Sequence, residues 1–346
     1  MARSCATRDD GVIKAAMRVL TGDIGGTKTA LAVHEVGDGP PRLVRSTRYP
    51  SASAPGLGPL LDSFLAELGS ARDDLRSAAF AVAGAVREGR CRTTNLPWAL
   101  DTAELSAQLG LPVALMNDFE GVALGVTALA DDQVEWLQVG ERDPMGVVAV
   151  LGAGTGLGEA ILLPTPTGPR VIASEGGHAD LAPRDELEID LLRFLLARHG
   201  RVSYERVLSG RGLHAMYDFL VARDPAAQLA STRERIASED PGAVVGQLGV
   251  DGEDPVCARA VDLFCGLYGA EAGNLALKTL PFGGVFLAGG VTLHLLSRLR
   301  SGFMPGFLAK GRMSSVLARM PVAVVLDAQV GLRGAALAAT ALISRV

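Results

Sequence analysis

The sequence predicts an α/β protein of two domains whose halves face a common cleft. Three observations carry this. A chain of 346 residues, 48% apolar and 21% charged, exceeds what one hydrophobic core ordinarily organises. Two distant stretches, RVLTGDIGGTKTALAV (18–33) and VVAVLGAGTGLGEAILL (147–163), share one plan: an apolar strand, a turn of glycine and threonine, and a second apolar strand. A third glycine region, FGGVFLAGGV (282–291), follows the helical-looking VCARAVDLFCGLYGAEAGNLALKTL and places Gly289 and Gly290 between a strand and the helical pattern VTLHLLSRLR.

The bulk numbers exclude several classes. A net charge of −5 leaves no basic footprint for nucleic acid, and a phosphate ligand would need a local site of backbone amides and metal. The longest uncharged stretch, Thr279 to Ser297, approaches membrane-spanning length. Its Pro281 and paired glycines read instead as a strand, a turn and a helix, so no membrane span is expected. Cys5, Cys91, Cys257 and Cys265 form no CxxC pair, as expected of reduced, mostly buried thiols in a cytoplasmic protein. Residues 1–16 lack the apolar core of a secretion signal. They are read as an extension outside the fold, either disordered or the product of an upstream start codon. Folded sequence begins near Met17.

Neither of the first two glycine turns has the Walker spacing GxxxxGK[ST]. The dinucleotide fingerprint fails as well, because Leu157 stands where its third glycine belongs. Both therefore read as hairpin turns. Glycine there permits positive φ and a close approach to a ligand, and successive N–H groups can form a nest for phosphate oxygens. A plain hairpin accounts for one such turn; two point to a duplicated α/β unit. Asp23 adds a carboxylate beside the proposed phosphates, enough for Mg²⁺, which takes one or two carboxylates, water and the nucleotide itself.

The polar candidates come next. In ALMNDFEG (114–121), Asn117 and Asp118 stand where an apolar run ends, either to cap a helix or to face a substrate. Glu175, Gly176, Gly177 and His178 form a short loop that is either a solvated turn or a set of groups suited to sugar hydroxyls, since neutral imidazole both donates and accepts. No second His or Cys sits at ligand spacing, so no zinc site is expected. Glu205 falls at a predicted helix start with Ser203 as cap, and chemistry alone makes it an exposed helix carboxylate. Asn95 in TTNLPWAL is a turn residue with only a faint functional claim.

With these residues assembled, the chain resembles the bacterial glucokinase family of the sugar kinase, Hsp70 and actin superfamily. The stretches that carry the likeness are GDIGGTKTALAV, TNLPWAL, NDFEGVALG, LGAGTGLGEAIL, EGGHADLAP, ERVLSGRGL, LFCGLYGAEAGNLAL and FGGVFLAGGV, in the family's order and spanning nearly everything from Met17 onward. The resemblance implies a two-domain actin-like ATPase (ribonuclease H-like) fold. It divides the chain into a small domain, 17–117, joined by a C-terminal helix, 331–346, and a large domain, 118–330. The implied reaction is ATP-dependent phosphorylation of the glucose 6-hydroxyl with Mg²⁺, in a homodimer.

By the same likeness Asp118 would be the catalytic base, and Asn117, Glu175, His178 and Glu205 would hold the sugar. Gly22, Asp23, Ile24, Gly25, Gly26 and Thr27 would form the first ATP-phosphate loop, and Gly152, Ala153, Gly154 and Thr155 the second. Gly289 and Gly290 would lie on the adenosine side, and Asp23 would hold Mg²⁺ through water. Two departures qualify the match. Lys28 and Thr29 stand where close relatives often carry Asn and Ala, which is more like the broader group of repressors, open reading frames and kinases. That group usually carries a cysteine-rich zinc motif after its EGGH-like loop, and here ADLAPRDELEIDLL has no cysteine, which favours the zinc-free branch. The rivals are a kinase for fructose, mannose or an N-acetylated sugar, a sugar-responsive repressor, and an actin-like or chaperone-like ATPase.

Overall fold

The computed structural model describes residues 17–37, 39–93, 96–166 and 168–343. The extension expected at 1–16, Cys5, Asn95 and the last three residues of the C-terminal helix expected at 331–346 lie outside the described residues. Met17–Ile24 (β1) and Lys28–Val36 (β2) form an antiparallel hairpin around the first glycine turn, and Arg42–Pro50 (β3) extends it. Leu57–Leu68 (α1) then leads to Leu75–Val82 (β4), parallel to β1. Leu57, Leu60, Leu61 and Phe64 recur at helical spacing, so α1 buries one stripe against this sheet. A small sheet of Val86–Arg87 (β5), Arg90–Arg92 (β6) and Ala99–Asp101 (β7) precedes Thr102–Leu109 (α2). Asp101 caps α2 by accepting from the N–H of Ala103, and Gly110 ends it in the left-handed region. Val113–Asn117 (β8) completes a five-stranded sheet in the order β3-β2-β1-β4-β8.

β8 runs without a linker into Asp118–Val126 (α3). Val134–Gln138 (β9), Val148–Ala153 (β10), Leu157–Leu163 (β11) and Arg170–Ser174 (β12) follow. A helical stretch comes next: Glu186–His199 (α4), Gly210–Arg223 (α5), Ala230–Ser238 (α6), Pro241–Asp251 (α7) and Pro255–Thr279 (α8). The chain closes with Gly284–Ala288 (β13), Gly290–His294 (α9), Leu296–Leu308 (α10), Ser314–Leu317 (α11), Val322–Val325 (β14) and Val330–Ile343 (α12). The second sheet has the order β12-β11-β10-β13-β14-β9. Apart from β9, this repeats the first sheet in both order and strand direction: two antiparallel pairs, then two parallel ones. The two glycine turns occupy the same place in each copy, as a duplicated unit requires.

α8 organises the second half. Asp254 accepts from the N–H groups of Val256 and Cys257 at its start, and Pro255 needs no donor partner there. Phe264 and Tyr268 of α8 and Phe303 of α10 pack edge to face, fully buried. Cys91, Cys257 and Cys265 are free and buried. The strand, glycine turn and helix expected within 282–300 are present and run over 284–308, with the helix broken at Leu295 into α9 and α10. Among the described residues no helix is long and apolar enough to cross a membrane.

The first sheet meets α12, whose Ala335, Ala336 and Ala339 pack on Val19, Ala79 and Ala81. On its other side α12 crosses α3 almost backbone to backbone. A Cβ on Gly334 would lie 1.8 Å from the Gly121 carbonyl oxygen, and one on Gly125 would lie 2.0 Å from that of Val330. Small side chains are what allow the two helices to approach so closely.

Candidate active site

Asn117 and Asp118 divide the two jobs considered for them. Asn117 ends β8 and caps α3: its Oδ1 accepts from the Phe119 N–H at 2.9 Å, while Glu120 accepts from the Asn117 N–H at 3.1 Å. Its Nδ2 donates to the Gly84 carbonyl at 3.1 Å, which ties the corner to the loop after β4. Asp118 is the first helical residue, and its Oδ1 accepts from Phe119 at 2.9 Å. Burial raises its pKa above the ordinary value and the nearby Glu175 adds to the rise, while the N–H donors and the Asn117 amide pull it back. The net result is a partly desolvated carboxylate at the end of a fixed strand.

Asp23, near the end of β1, is its neighbour. Surrounding protein and the Asp118 charge push the Asp23 pKa up to about 6, and Arg48 offsets part of that. Asp23 keeps some contact with solvent although protein encloses it on most sides, which is the geometry of a cleft floor.

The turns are built differently from a plain run of free amides. The Gly25 N–H donates to Lys28 at 3.0 Å and the Gly154 N–H to Gly156 at 2.9 Å, each within its own turn. The N–H groups of Gly26, Thr27, Thr155 and Gly156 have no acceptor among the described residues. Ser51 buttresses the first turn by donating to the Gly25 carbonyl at 2.8 Å. The Ile24 side chain is buried in the small core, so only its backbone can face a ligand.

Two glycines expected to approach phosphate also have a packing reason to be glycine. A Cβ on Gly22 would lie 2.6 Å from Cδ1 of Phe80, and one on Gly152 would lie 2.4 Å from Cε2 of Phe119. Gly158, the cross-strand partner of Gly152, is equally close to the Phe119 ring. These positions are glycine because an aromatic ring lies on them. The ring that follows Asp118 in sequence is thus seated on the second hairpin. Gly289, at φ 99°, packs against the Ala153 carbonyl, whereas Gly290 has open space around it.

Glu175 and His178 flank the glycine pair of a short turn, both exposed, 3.9 Å apart. Glu205 does not open a helix. It sits in a single 3-10 turn, Tyr204–Arg206, and Ser203 makes no capping bond. The reason is tertiary: Ser203 bridges to Asp180 and the Tyr204 N–H donates to Ala179, so the backbone is held extended there. The helix begins later, at Gly210, capped by Ser209. Glu205 instead reaches the second glycine turn, where its Oε2 accepts from Leu157 at 3.1 Å and fills the space a Cβ on Gly156 would need.

A chain of neighbours therefore joins the candidates: Asp23 to Asp118, Asp118 to Glu175, Glu175 to His178, and Glu205 to the second turn. The residues fit a magnesium nucleotide. Two neighbouring carboxylates with raised pKa values leave an excess of negative charge that a divalent cation would offset. Among the described residues no cluster of three or more His, Cys, Asp or Glu could hold a metal ion by side chains alone. Cavities of about 340 and 270 Å³ lie away from Asp118, one beside Tyr204 and Glu271 and one beside Arg142 and Phe286. Arg48, Ser51 and Phe119 were not anticipated. RSTRYP carries no local pattern that marks Arg48, and the paired glycines at 152 and 158 were the only trace of Phe119.

Comparison with known proteins identifies the family. A family model described as glucokinase matches residues 20–342. A glucokinase of Nostoc sp. is 43% identical over 340 residues, covering 94% of this chain and 99% of its own. Among solved structures, a glucokinase from an Antarctic psychrotroph superposes with a TM-score of 0.81 at 31% identity, covering 94% of this chain and 99% of that one. A glucokinase from Balamuthia mandrillaris in complex with glucose does so with a TM-score of 0.74 at 25% identity, covering 95% of each. With the repeated sheets, the paired glycine turns and near full-length similarity in agreement, the chain belongs to the glucokinase family.

Proposed function

We propose that the protein transfers the terminal phosphoryl group of ATP to the 6-hydroxyl of D-glucose, with Asp118 as the base. The observation that carries this is the position of Asp118: partly buried, first in a helix that Asn117 caps, and close enough to Asp23 and the sugar-side Glu175 for their charges to act on one another. Phosphoryl transfer passes through a loose transition state, so positioning and charge neutralisation do most of the work. The free amides of Gly26, Thr27 and Thr155 would receive phosphate oxygens, and Gly290 leaves room on the adenosine side. Asp23 would hold Mg²⁺, which supplies countercharge to the triphosphate. Asp118 accepts the hydroxyl proton as the new bond forms. Asn117, Glu175, His178 and Glu205 orient the sugar. One carboxylate oxygen of Glu205 also steadies the second turn.

In this reading residues 17–117 with α12 act as a small domain and 118–330 as a large one, closing on the sugar to limit transfer to water. Sheet membership supports that division. A cytoplasmic homodimer is the assembly that family likeness favours, and free buried cysteines suit a reducing compartment. The test is Asp118→Asn, followed by ADP release and by glucose binding. Turnover falls at least about a hundredfold, the scale of a positioned base, while glucose still binds; near-normal turnover removes Asp118 from the role. A panel of hexoses in the same assay checks the sugar.

A further inference from the structure

Behind the Glu175–His178 turn lies a pair of buried carboxyls that the phosphoryl-transfer chemistry does not use. Glu159 on β11 is 3% exposed and Glu271 in the middle of α8 is 1% exposed. Glu159 is the cross-strand partner of Leu151, whose carbonyl accepts from Tyr268 one turn before Glu271, so the two carboxyls face each other. Two facing carboxyls taken out of water favour keeping a proton between them. One oxygen of Glu159, Oε1, is buried without a partner. Nothing in place would support a full charge on it.

Each carboxyl is fastened to a segment carrying a sugar-side residue. Glu159 is the cross-strand partner of Ser174, whose Oγ accepts from the Gly176 N–H at 3.0 Å. Gly176 itself rests on Glu159: a Cβ there would lie 2.0 Å from Oε2. Glu271 accepts from Asn274 at 2.9 Å and lines one cavity with Tyr204, the residue before Glu205. Asn274 also donates to the Tyr204 hydroxyl at 2.9 Å, and Lys310 donates to the Asn274 carbonyl oxygen. The network therefore runs from the Gly176 turn through both carboxyls to the Glu205 turn.

We propose that Glu159 and Glu271 are positioning residues that share one proton beneath the Glu175–His178 turn, and that this proton keeps that turn and the Glu205 turn in register for the sugar. The proposal rests on the reading that Glu175, His178 and Glu205 hold the sugar. Loss of the proton puts two like charges into a site with one orphan oxygen, and the cheapest relief is for the Gly176 turn to lift off Glu159. Burial and the facing Glu271 push Glu159 up to about 8, and burial raises Glu271 as well. The other titratable or charged groups facing the pair are Lys278, Tyr268, Tyr204 and Lys310, with Arg184 and Glu188 beyond Lys310. Glu175 and His178 above it point to solvent. A cavity of about 340 Å³ lined by Tyr204, Glu271, Asn274 and Lys278 lies on the Glu271 side of the pair.

The experiment is the pH dependence of KM for glucose and for ATP, with kcat, in the full-length enzyme between pH 7 and 9. If only the protonated pair presents the sugar turn, glucose KM rises about tenfold by pH 9 as the competent fraction falls, while ATP KM stays flat. Glu159→Gln, which keeps a donor without a titrating proton, gives a glucose KM near the wild-type pH 7 value that no longer rises. Glu159→Ala has a raised glucose KM at every pH. A wild-type glucose KM that is flat with pH, or a Glu159→Gln profile identical to wild type, overturns the proposal. Glu271→Gln carries the same test should Glu159→Gln fail to fold by circular dichroism. Glu175→Gln separates the two readings: unchanged glucose KM in that variant refutes the sugar site itself, whereas a raised one leaves only the proton pair in question.

Discussion

Replacing Gly158 by alanine drives a methyl group into the Phe119 ring. The added Cβ would lie 2.4 Å from Cδ2 and 2.6 Å from Cγ of that ring. Carbon atoms rest about 3.5–4.0 Å apart, so the ring must retreat by about 1 Å or more. It cannot swing aside cheaply, because the contact falls near the base of the ring, and Gly152 lies against the same edge farther out, at Cε2 and Cζ. The displacement passes to Asp118, the preceding residue, whose Oδ1 is bonded to the Phe119 N–H. A misplacement of about 1 Å at a reacting group costs about a hundredfold in rate, and overpacking costs about 1–3 kcal/mol in stability. The assay is kcat by coupled ADP release at saturating glucose and ATP, beside a thermal melt. Gly158→Ala loses about two orders of magnitude in kcat yet remains folded, and adding Phe119→Leu, which shortens the obstructing ring, recovers part of the loss. Wild-type kcat in Gly158→Ala refutes the reasoning, and so does a loss left whole in the double variant while Phe119→Leu alone stays active.

Other outcomes follow from the same contacts. Asp23 binds its proton more tightly folded than unfolded, so its contribution to stability is full below about pH 4 and is lost as pH rises through about 6. Asp23→Asn therefore stabilises the fold at pH 7.5 but not at pH 4, by no more than about 3 kcal/mol and less where water reaches the group, seen as a higher melting temperature at pH 7.5 alone, while phosphoryl transfer falls. His34, buried with its Nδ1 3.1 Å from Thr21 Oγ1, has its pKa lowered by burial and by Arg333 to about 4. Its contribution is intact above about pH 6.5 and lost as pH falls through about 4, so denaturant midpoints drop on acidification and His34→Leu shows a smaller drop. Gly334→Ala forces α3 and α12 apart and costs at least the upper end of the usual overpacking range, about 3 kcal/mol. Gly56→Ala, whose methyl meets nothing within 4 Å, is the control in the same melt.

Local pattern made some features readable and hid others. The two hairpins, the strand ending at Asn117 and the strand before Gly289 could be read because apolar runs and glycine turns are written in adjacent residues. The roles of Gly22 and Gly152 could not, since the rings of Phe80 and Phe119 that exclude a side chain there come from other elements. The helix start expected at Glu205 is absent because the bridge between Asp180 and Ser203 overrides the local capping signal. Glu159 and Glu271 lie on different elements, and a carboxylate in an apolar run gives no sign of whether it meets another carboxyl or a lysine.

The crossing of α3 over α12 has a consequence for where movement is felt. Gly331 of α12 lies within 4 Å of Asp23 Oδ2 by its would-be Cβ, and Asp118 sits one helical turn before Gly121, which meets Gly334. A rotation displaces each atom in proportion to its distance from the pivot. Should the two sheets swing about this close crossing, both acidic groups stand near the fulcrum and stay almost still, while strands remote from it, such as the edge strand β3, sweep larger arcs.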